Sequence, residues 1–144
     1  NLYITDIGYY PKAKYHFRKR PQGADQNILI YCYEGKGSVK VSTTDYDLAS
    51  GDFIIIPSKT AHSYQASEKN PWAIYWVHFK GNSANALLSQ FEKQHNGQKG
   101  FIRNSETILK LFNEMYEQLT KGYSADNLIY TNMCLWHFLG KFLF

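Results

Sequence analysis

Few folds accommodate the stretch Gly51-Asp52-Phe53-Ile54-Ile55-Ile56-Pro57-Ser58-Lys59-Thr60-Ala61-His62-Ser63-Tyr64. A Gly-Asp turn opens a short apolar strand. Pro57 lacks a backbone N–H and ends it. A polar corner follows, and His62 enters the next strand. A small antiparallel β-barrel turns a corner in this way while carrying side chains into its lumen.

Other runs in the first eighty residues also read as strand. Asn27 to Tyr33 is an aliphatic and aromatic run, and Gly35-Lys36-Gly37 is a turn signal. Ser38 to Ser42 alternates, with Val39 and Val41 on one face, and Thr43 to Asp47 reads as a polar hairpin tip. Tyr64 to Ser67 is the next strand, and Lys69-Asn70-Pro71 is a loop. Trp72 to Phe79 is the most apolar strand. Its period of two puts Trp72, Ile74, Trp76 and His78 on one face, and Ala73, Tyr75, Val77 and Phe79 on the other. Lys14 to Arg18 alternates poorly, so His16 falls in a segment without a clear pattern. Short strands with Gly and Pro corners predict a barrel or sandwich.

After Gly81 the character changes. Ala84 to Phe91 suits a short helix, broken by Gly97 and Gly100, with His95 in a polar loop. Ile108, Leu111, Phe112, Met115, Tyr116 and Leu119 then recur at helical spacing. Asn104 or Ser105 is the expected N-cap and Gly122 the stop. A second helix starts at Ser124 and is apolar over most of its circumference from Leu128 to Leu143. One helix packed on one barrel does not need so wide an apolar surface. The surplus is buried either against a partner chain or within the chain itself. Leu128, Leu135, Leu139 and Phe142 are the candidate dimerisation residues. The apolar pattern runs to Phe144 without a Gly, Pro or polar cap, which predicts a fragment with a further domain behind it.

At 144 residues the chain is one domain. Its 12 Tyr and 9 Phe either line a cavity or pack strands. The net charge of +4 is modest. Its densest cluster, Lys12 to Arg20, is interleaved with aromatics and reads as the wet face of a strand, not a nucleic-acid arm. Cys32 and Cys134 stand far apart in apolar contexts and read as buried free thiols, in keeping with a reducing compartment. No apolar run is long enough to span a bilayer, so no membrane partner is expected.

The Gly-x5-Pro-x4-His spacing resembles the second signature of the cupin superfamily, whose members often bind a metal through such a histidine. The resemblance implies a first signature of two His and a Glu upstream. In that window, Ile30 to Lys40, stand one acid, Glu34, one Cys and no His. Glu34 beside Gly35 and Gly37 reads as a hairpin corner. His62 alone cannot close a first-row metal site. His78 is the best barrel candidate for a second ligand, while His16, His95 and His137 do not rebuild the set. No metal and no cofactor are therefore expected. His62 is either a hydrogen-bonded strand residue near the barrel mouth or a ligand contact.

Arg20-Pro21-x-Gly23, Ile28-Leu29-Ile30, Gly35-x-Gly37, Gly51-Asp52-x4-Pro57-x4-His62-x-Tyr64 and Trp76-Val77-His78-Phe79-x-Gly81 form an ordered set. It resembles the N-terminal effector-binding and dimerisation domain of the arabinose-operon regulator (AraC-type) transcription factors. The motifs span most of residues 20–81, and the helices continue the likeness by character. The resemblance implies a mainly β fold with C-terminal helices. A cupin-like (double-stranded β-helix or jelly-roll) barrel over 1–82 would be followed by two or three α-helices over 83–144, the dimerisation segment of the same domain. It also implies a cytoplasmic bacterial transcription regulator with no catalytic residues. A small-molecule effector, a sugar or sugar derivative, would lie inside the barrel. A helix pair would make a homodimer. DNA would be bound only through a C-terminal helix-turn-helix domain beyond these 144 residues.

Residue by residue, the resemblance suggests a pocket from Arg20, Tyr64 and Trp76. Arg20 has a rigid fork of donors for a hydroxyl or carboxylate, or is a surface strand charge. Trp76 offers a flat face for a pyranose, or simply packs the core. Tyr64 combines ring packing with a hydroxyl. Trp72 and Ile74 share the Trp76 face, and His62 and His78 complete the candidate ligand-binding set. Ile74 is apolar where the arabinose-binding member would place a polar contact. Tyr9 or Pro11, in an N-terminal arm, could close the mouth.

Two other readings stay open. A metal-independent cupin sugar isomerase or epimerase would use His62 and Tyr64 as acid and base. A barrel with its lumen filled by side chains would only hold a dimer together.

Overall fold

The computed structural model describes residues 1–12, 15–95, 97–103 and 105–143. Its strands form two antiparallel sheets. The first has the order β1 (Tyr3–Tyr10), β8 (Ala73–Lys80), β3 (Asn27–Glu34), β6 (Asp52–Ile56), β9 (Lys99–Phe101). The second has the order β2 (Phe17–Arg20), β7 (His62–Ala66), β4 (Lys36–Val41), β5 (Thr44–Ala49). The sheets face each other as a cupin-like barrel, and α1 (Asn82–His95), α2 (Glu106–Thr120) and α3 (Ala125–Leu143) follow.

The near-continuous apolar runs in β3 and β6 have a simple cause: both faces of the first sheet are covered. Ile28, Ile30, Cys32, Ile54, Ile56 and Ile74 meet Val39, Val41, Leu48 and Tyr64 of the second sheet. Their neighbours Leu29, Tyr31, Phe53, Ile55, Val77 and Phe79 meet the helices. Strand alternation thus builds two cores from one sheet. The corner at Gly51 works as its sequence suggests. Gly51 has φ +95°, and the Asp52 carboxylate accepts the Ala49 N–H at 2.8 Å.

Several elements differ from the sequence expectation. β1 was not foreseen, because a bulge between Ile4 and Asp6 breaks its alternation. Thr43 to Asp47 is not a tip: β5 runs through it, and the turn sits at Ser42, φ +52°. β2 begins at Phe17, and Lys14 lies outside the described residues. Helix α1 continues to His95, which is therefore in its last turn and not in a loop. Gly100 is a strand residue, since a Cβ there would lie 2.5 Å from the Phe53 ring. Asn104 lies outside the described residues, and Ser105 makes no side-chain cap. Ser124 does cap α3, accepting the Asn127 N–H at 3.2 Å.

The dimerisation residues need correction. Leu135, Leu139 and Phe142 are 0%, 1% and 3% exposed, packed against the first sheet. Phe142 touches Phe53 edge-on at 4.8 Å between ring centroids. These side chains are spent on the chain's own core, and Leu128 is half-buried. The inward stripe of α3 runs Thr131, Cys134, Leu135, Phe138, Leu139, Phe142 and Leu143, at i, i+3, i+4, i+7, i+8, i+11 and i+12. Opposite it, Ile129, Met133 and Trp136 are 60%, 67% and 46% exposed.

Candidate functional site

Strand register gathers the polar side chains of the lumen. β2 pairs with β7 so that Arg20 stands opposite His62, and Arg18 opposite Tyr64. On the first sheet, β1 lays Asp6, Gly8 and Tyr10 opposite His78, Trp76 and Ile74. Antiparallel partners share a face, so these residues look inward from both sides of the barrel.

His62 is locked by two hydrogen bonds. Its Nδ1 lies 2.9 Å from the Thr60 carbonyl oxygen, and its Nε2 lies 3.0 Å from Arg20 Nη1. A carbonyl only accepts and a guanidinium only donates. The network therefore assigns the proton to Nδ1, and Nε2 accepts from Arg20. Burial holds the His62 pKa below its ordinary 6.5; the Arg20 charge adds to this, and the Thr60 bond opposes it. His78 is pushed down to about 4, chiefly by burial. Asp6, 3.6 Å away, opposes this, and the smaller effects of Arg20, His62 and Arg18 add to it.

Rings occupy the middle of the barrel. His16 lies 4.5 Å from Tyr10, 5.5 Å from Tyr64 and 6.3 Å from Trp72 between centroids. The Trp72 indole donates to His16 Nδ1 at 3.3 Å. Each tryptophan rests on a glycine. A Cβ on Gly37 would lie 2.0 Å from Trp72, and one on Gly8 would lie 2.2 Å from Trp76. The Trp76 indole N–H is enclosed and has no hydrogen-bond partner among the described residues. An orphaned buried donor costs about 1–3 kcal/mol.

Of the candidate ligand-binding residues, the structure places Arg20, His62, Tyr64, Trp72, Trp76 and His78 on inward faces of the barrel. Ile74 shares their face but belongs to the aliphatic floor. Tyr9 does not close the mouth: its ring lies against Tyr75, 4.4 Å away, on the other side of the sheet. Tyr10, 37% exposed, and His16, half-buried, lie against the Trp76, Tyr64 and Trp72 rings instead. The alternation Asp6-Gly8-Tyr10 carried that signal for Tyr10. His16 had none in sequence.

Open clefts lie elsewhere. The largest, about 650 Å³, is lined by Lys36, Asp47, Glu68 and Lys99 over Leu48 and Ala66. It is a solvent-open surface, and Asp52 and Lys99 already pair within it at 3.5 Å. Arg20, His62, Trp76 and His78 line none of the five described clefts. The lumen donors do not suit a metal. Among the described residues no group of three His, Cys, Asp or Glu is placed to hold one. The free lone pair of His62 is already taken by a cation, Arg20.

Residues 7–130 match the family described as the AraC-like ligand binding domain. The chain belongs to that family. This AraC-like domain is 38% identical over 91 residues to the MmsAB operon regulatory protein of Pseudomonas aeruginosa, covering 60% of the chain and 29% of that protein. It is 33% identical over 95 residues to the Msm operon regulatory protein of Streptococcus mutans, covering 66% and 33%. It is 34% identical over 67 residues to the raffinose operon transcriptional regulatory protein of Pediococcus pentosaceus, covering 45% and 24%. The matched part thus spans a third or less of each relative. The cupin domain of Schizosaccharomyces pombe Cnp3 is 17% identical, with a TM-score of 0.44 over 56% of this chain and 54% of that one. Among the described residues of this domain, no helix is long and apolar enough to cross a membrane.

Proposed function

We propose that this AraC-like domain senses a small-molecule effector, a sugar or sugar derivative, held in the barrel between Arg20, His62, Tyr64, Trp76 and His78. One observation carries the reading. A buried Trp76 N–H without a described partner lies on the inner face of the barrel, beside polar side chains and under the rings of Tyr10 and His16. An effector would take the place of the Tyr10 and His16 rings, which sit at the two ends of the segment joining β1 to β2. Displacing that segment links occupancy of the barrel to its outer surface, and a ligand shifts such an equilibrium by its difference in affinity for the two arrangements. The printed name of the raffinose relative supports the sugar class.

The outward stripe of α3 is proposed as the homodimer contact, because its core-facing side is already satisfied. DNA binding is assigned to a part of the protein outside these residues, in keeping with relatives that regulate operons. The isomerase alternative asks His62 to move a proton, yet both its ring nitrogens are engaged.

A thermal-shift screen with sugars and sugar acids tests the reading. At least one compound should raise the Tm of the native protein and fail to do so for Arg20→Gln. A panel without any stabilising compound, or equal stabilisation of both proteins, contradicts it.

A further inference from the structure

We infer that the effector carries a carboxylate, seated against the Arg20 guanidinium with the Trp76 indole N–H as a second donor; this rests on the lumen being the effector site.

The argument is a count of donors, acceptors and charge. Arginine is always charged and only donates. Arg20 is half-buried, and its one described hydrogen bond goes to a neutral acceptor, His62 Nε2. No described ion pair involves it: those pairs join His78 to Asp6, Lys80 to Asp25 and Lys99 to Asp52. A charge drawn from water without a counter-ion is costly. Arg18, exposed, stands two residues away on the same strand and adds a second positive charge. The lumen histidines do not offset this field. They are neutral within it, and Arg20 helps to keep both His62 and His78 so.

Part of the unused hydrogen-bonding capacity has the same sign. The His62 donor is given to Thr60 and its lone pair to Arg20. His16 Nδ1 is used by Trp72. The Tyr64 hydroxyl and the neutral His78 ring can donate or accept; the rest of the Arg20 fork and the Trp76 N–H only donate. Arg20 reaches His62, whose ring lies 6.2 Å from that of Tyr64, and Tyr64 and Trp76 belong to one core. Both donors therefore face that core, from opposite sheets. The carboxylate of that face, Asp6, sits beside His78 and is itself half exposed.

A neutral sugar finds acceptors here in the Tyr64 hydroxyl and the His78 ring, but it brings no counter-charge to Arg20. A carboxylate presents only acceptors. Its two oxygens match the planar fork of Arg20 bidentately and leave lone pairs for an indole N–H. The Trp72 and Ile74 wall suits the apolar remainder. The class is thus a small organic acid, a sugar acid among them.

The test follows the indole N–H signal of Trp76 in ¹H–¹⁵N spectra of the labelled protein, assigned by its loss in Trp76→Phe. The probes are sodium acetate, acetamide and galactose, with sodium chloride holding ionic strength constant. Acetate should move the signal saturably, and acetamide at least about tenfold more weakly, as for a charge-assisted bond replaced by a neutral one. Arg20→Gln should weaken acetate by a similar factor, and Arg20→Lys should fall between. Should Arg20→Gln not fold, the contrast of acetate with acetamide in the native protein decides alone. Equal response to acetate and acetamide overturns the inference. So does saturation by galactose without any by acetate, which would leave the lumen as effector site and remove only its charge preference. Silence from all three probes contradicts both the inference and the sensor reading.

Discussion

His78 is uncharged chiefly because it is buried, its ring beside that of Trp76, and that has a consequence for stability. Above pH 6.5, its ordinary value, the histidine is neutral in both folded and unfolded chains and contributes no pH dependence. As the pH falls, the unfolded chain takes the proton first, while the folded chain refuses it until about pH 4. Stability should therefore fall with pH across that window, by up to about 3 kcal/mol. His62 and His16 are lowered as well and act in the same direction. Urea midpoints between pH 7 and about pH 5, above the usual carboxylate range, should decline, and His78→Gln should flatten the slope. A flat profile for the native protein would refute the burial of these histidines. Gly37 is the other sensitive residue. Gly37→Ala drives a methyl into Trp72 and should cost about 1–3 kcal/mol, read by denaturant melts. At this scale the inward set on β8 was legible, since Ile74, Trp76 and His78 follow a period of two. Tyr10 was legible only from the alternation Asp6-Gly8-Tyr10 beyond the bulge after Ile4. His16 was not, because it lies between strands, where no periodicity assigns a face.

At the scale of elements, α3 carries two apolar stripes that sequence alone could not divide. Its wide apolar circumference was plain, but core and exposed positions are equally hydrophobic. Only the sheet beneath decides that Leu135 and Phe142 are inside and Met133 and Trp136 outside. The two stripes should respond differently to substitution. Leu135→Ala should cost about 2–5 kcal/mol without altering assembly. Met133→Asp should leave the melt nearly unchanged and dissociate the proposed dimer. Sedimentation velocity at several concentrations checks both, and an unchanged sedimentation coefficient in Met133→Asp would rule out this stripe as the contact. Ser124→Ala should weaken the start of the helix by about 1 kcal/mol, since it removes the side-chain acceptor for Asn127 N–H. The strands showed a related limit. β9 hides in a three-residue edge around Gly100, which sequence reads as a breaker although the Phe53 ring demands it.

For the whole molecule, the barrel was legible because its corners are chemical. Gly51-Asp52, Pro57 and the polar turn before His62 constrain the backbone whatever their surroundings. The state of the lumen was not, because whether rings fill or vacate it depends on a segment that reaches across from β1 to β2. The domain is thus two cores on one sheet, one against the helices and one between the sheets, with Tyr10 and His16 packed over it. The proposed effector would replace those two rings. The most direct test is a crystal structure with the compound that most raises the Tm. The expected result is ligand density between Arg20 and Trp76, with the Tyr10 and His16 rings moved aside. Density in the outer cleft over Leu48 and Ala66, with the ring cluster unchanged, would contradict it.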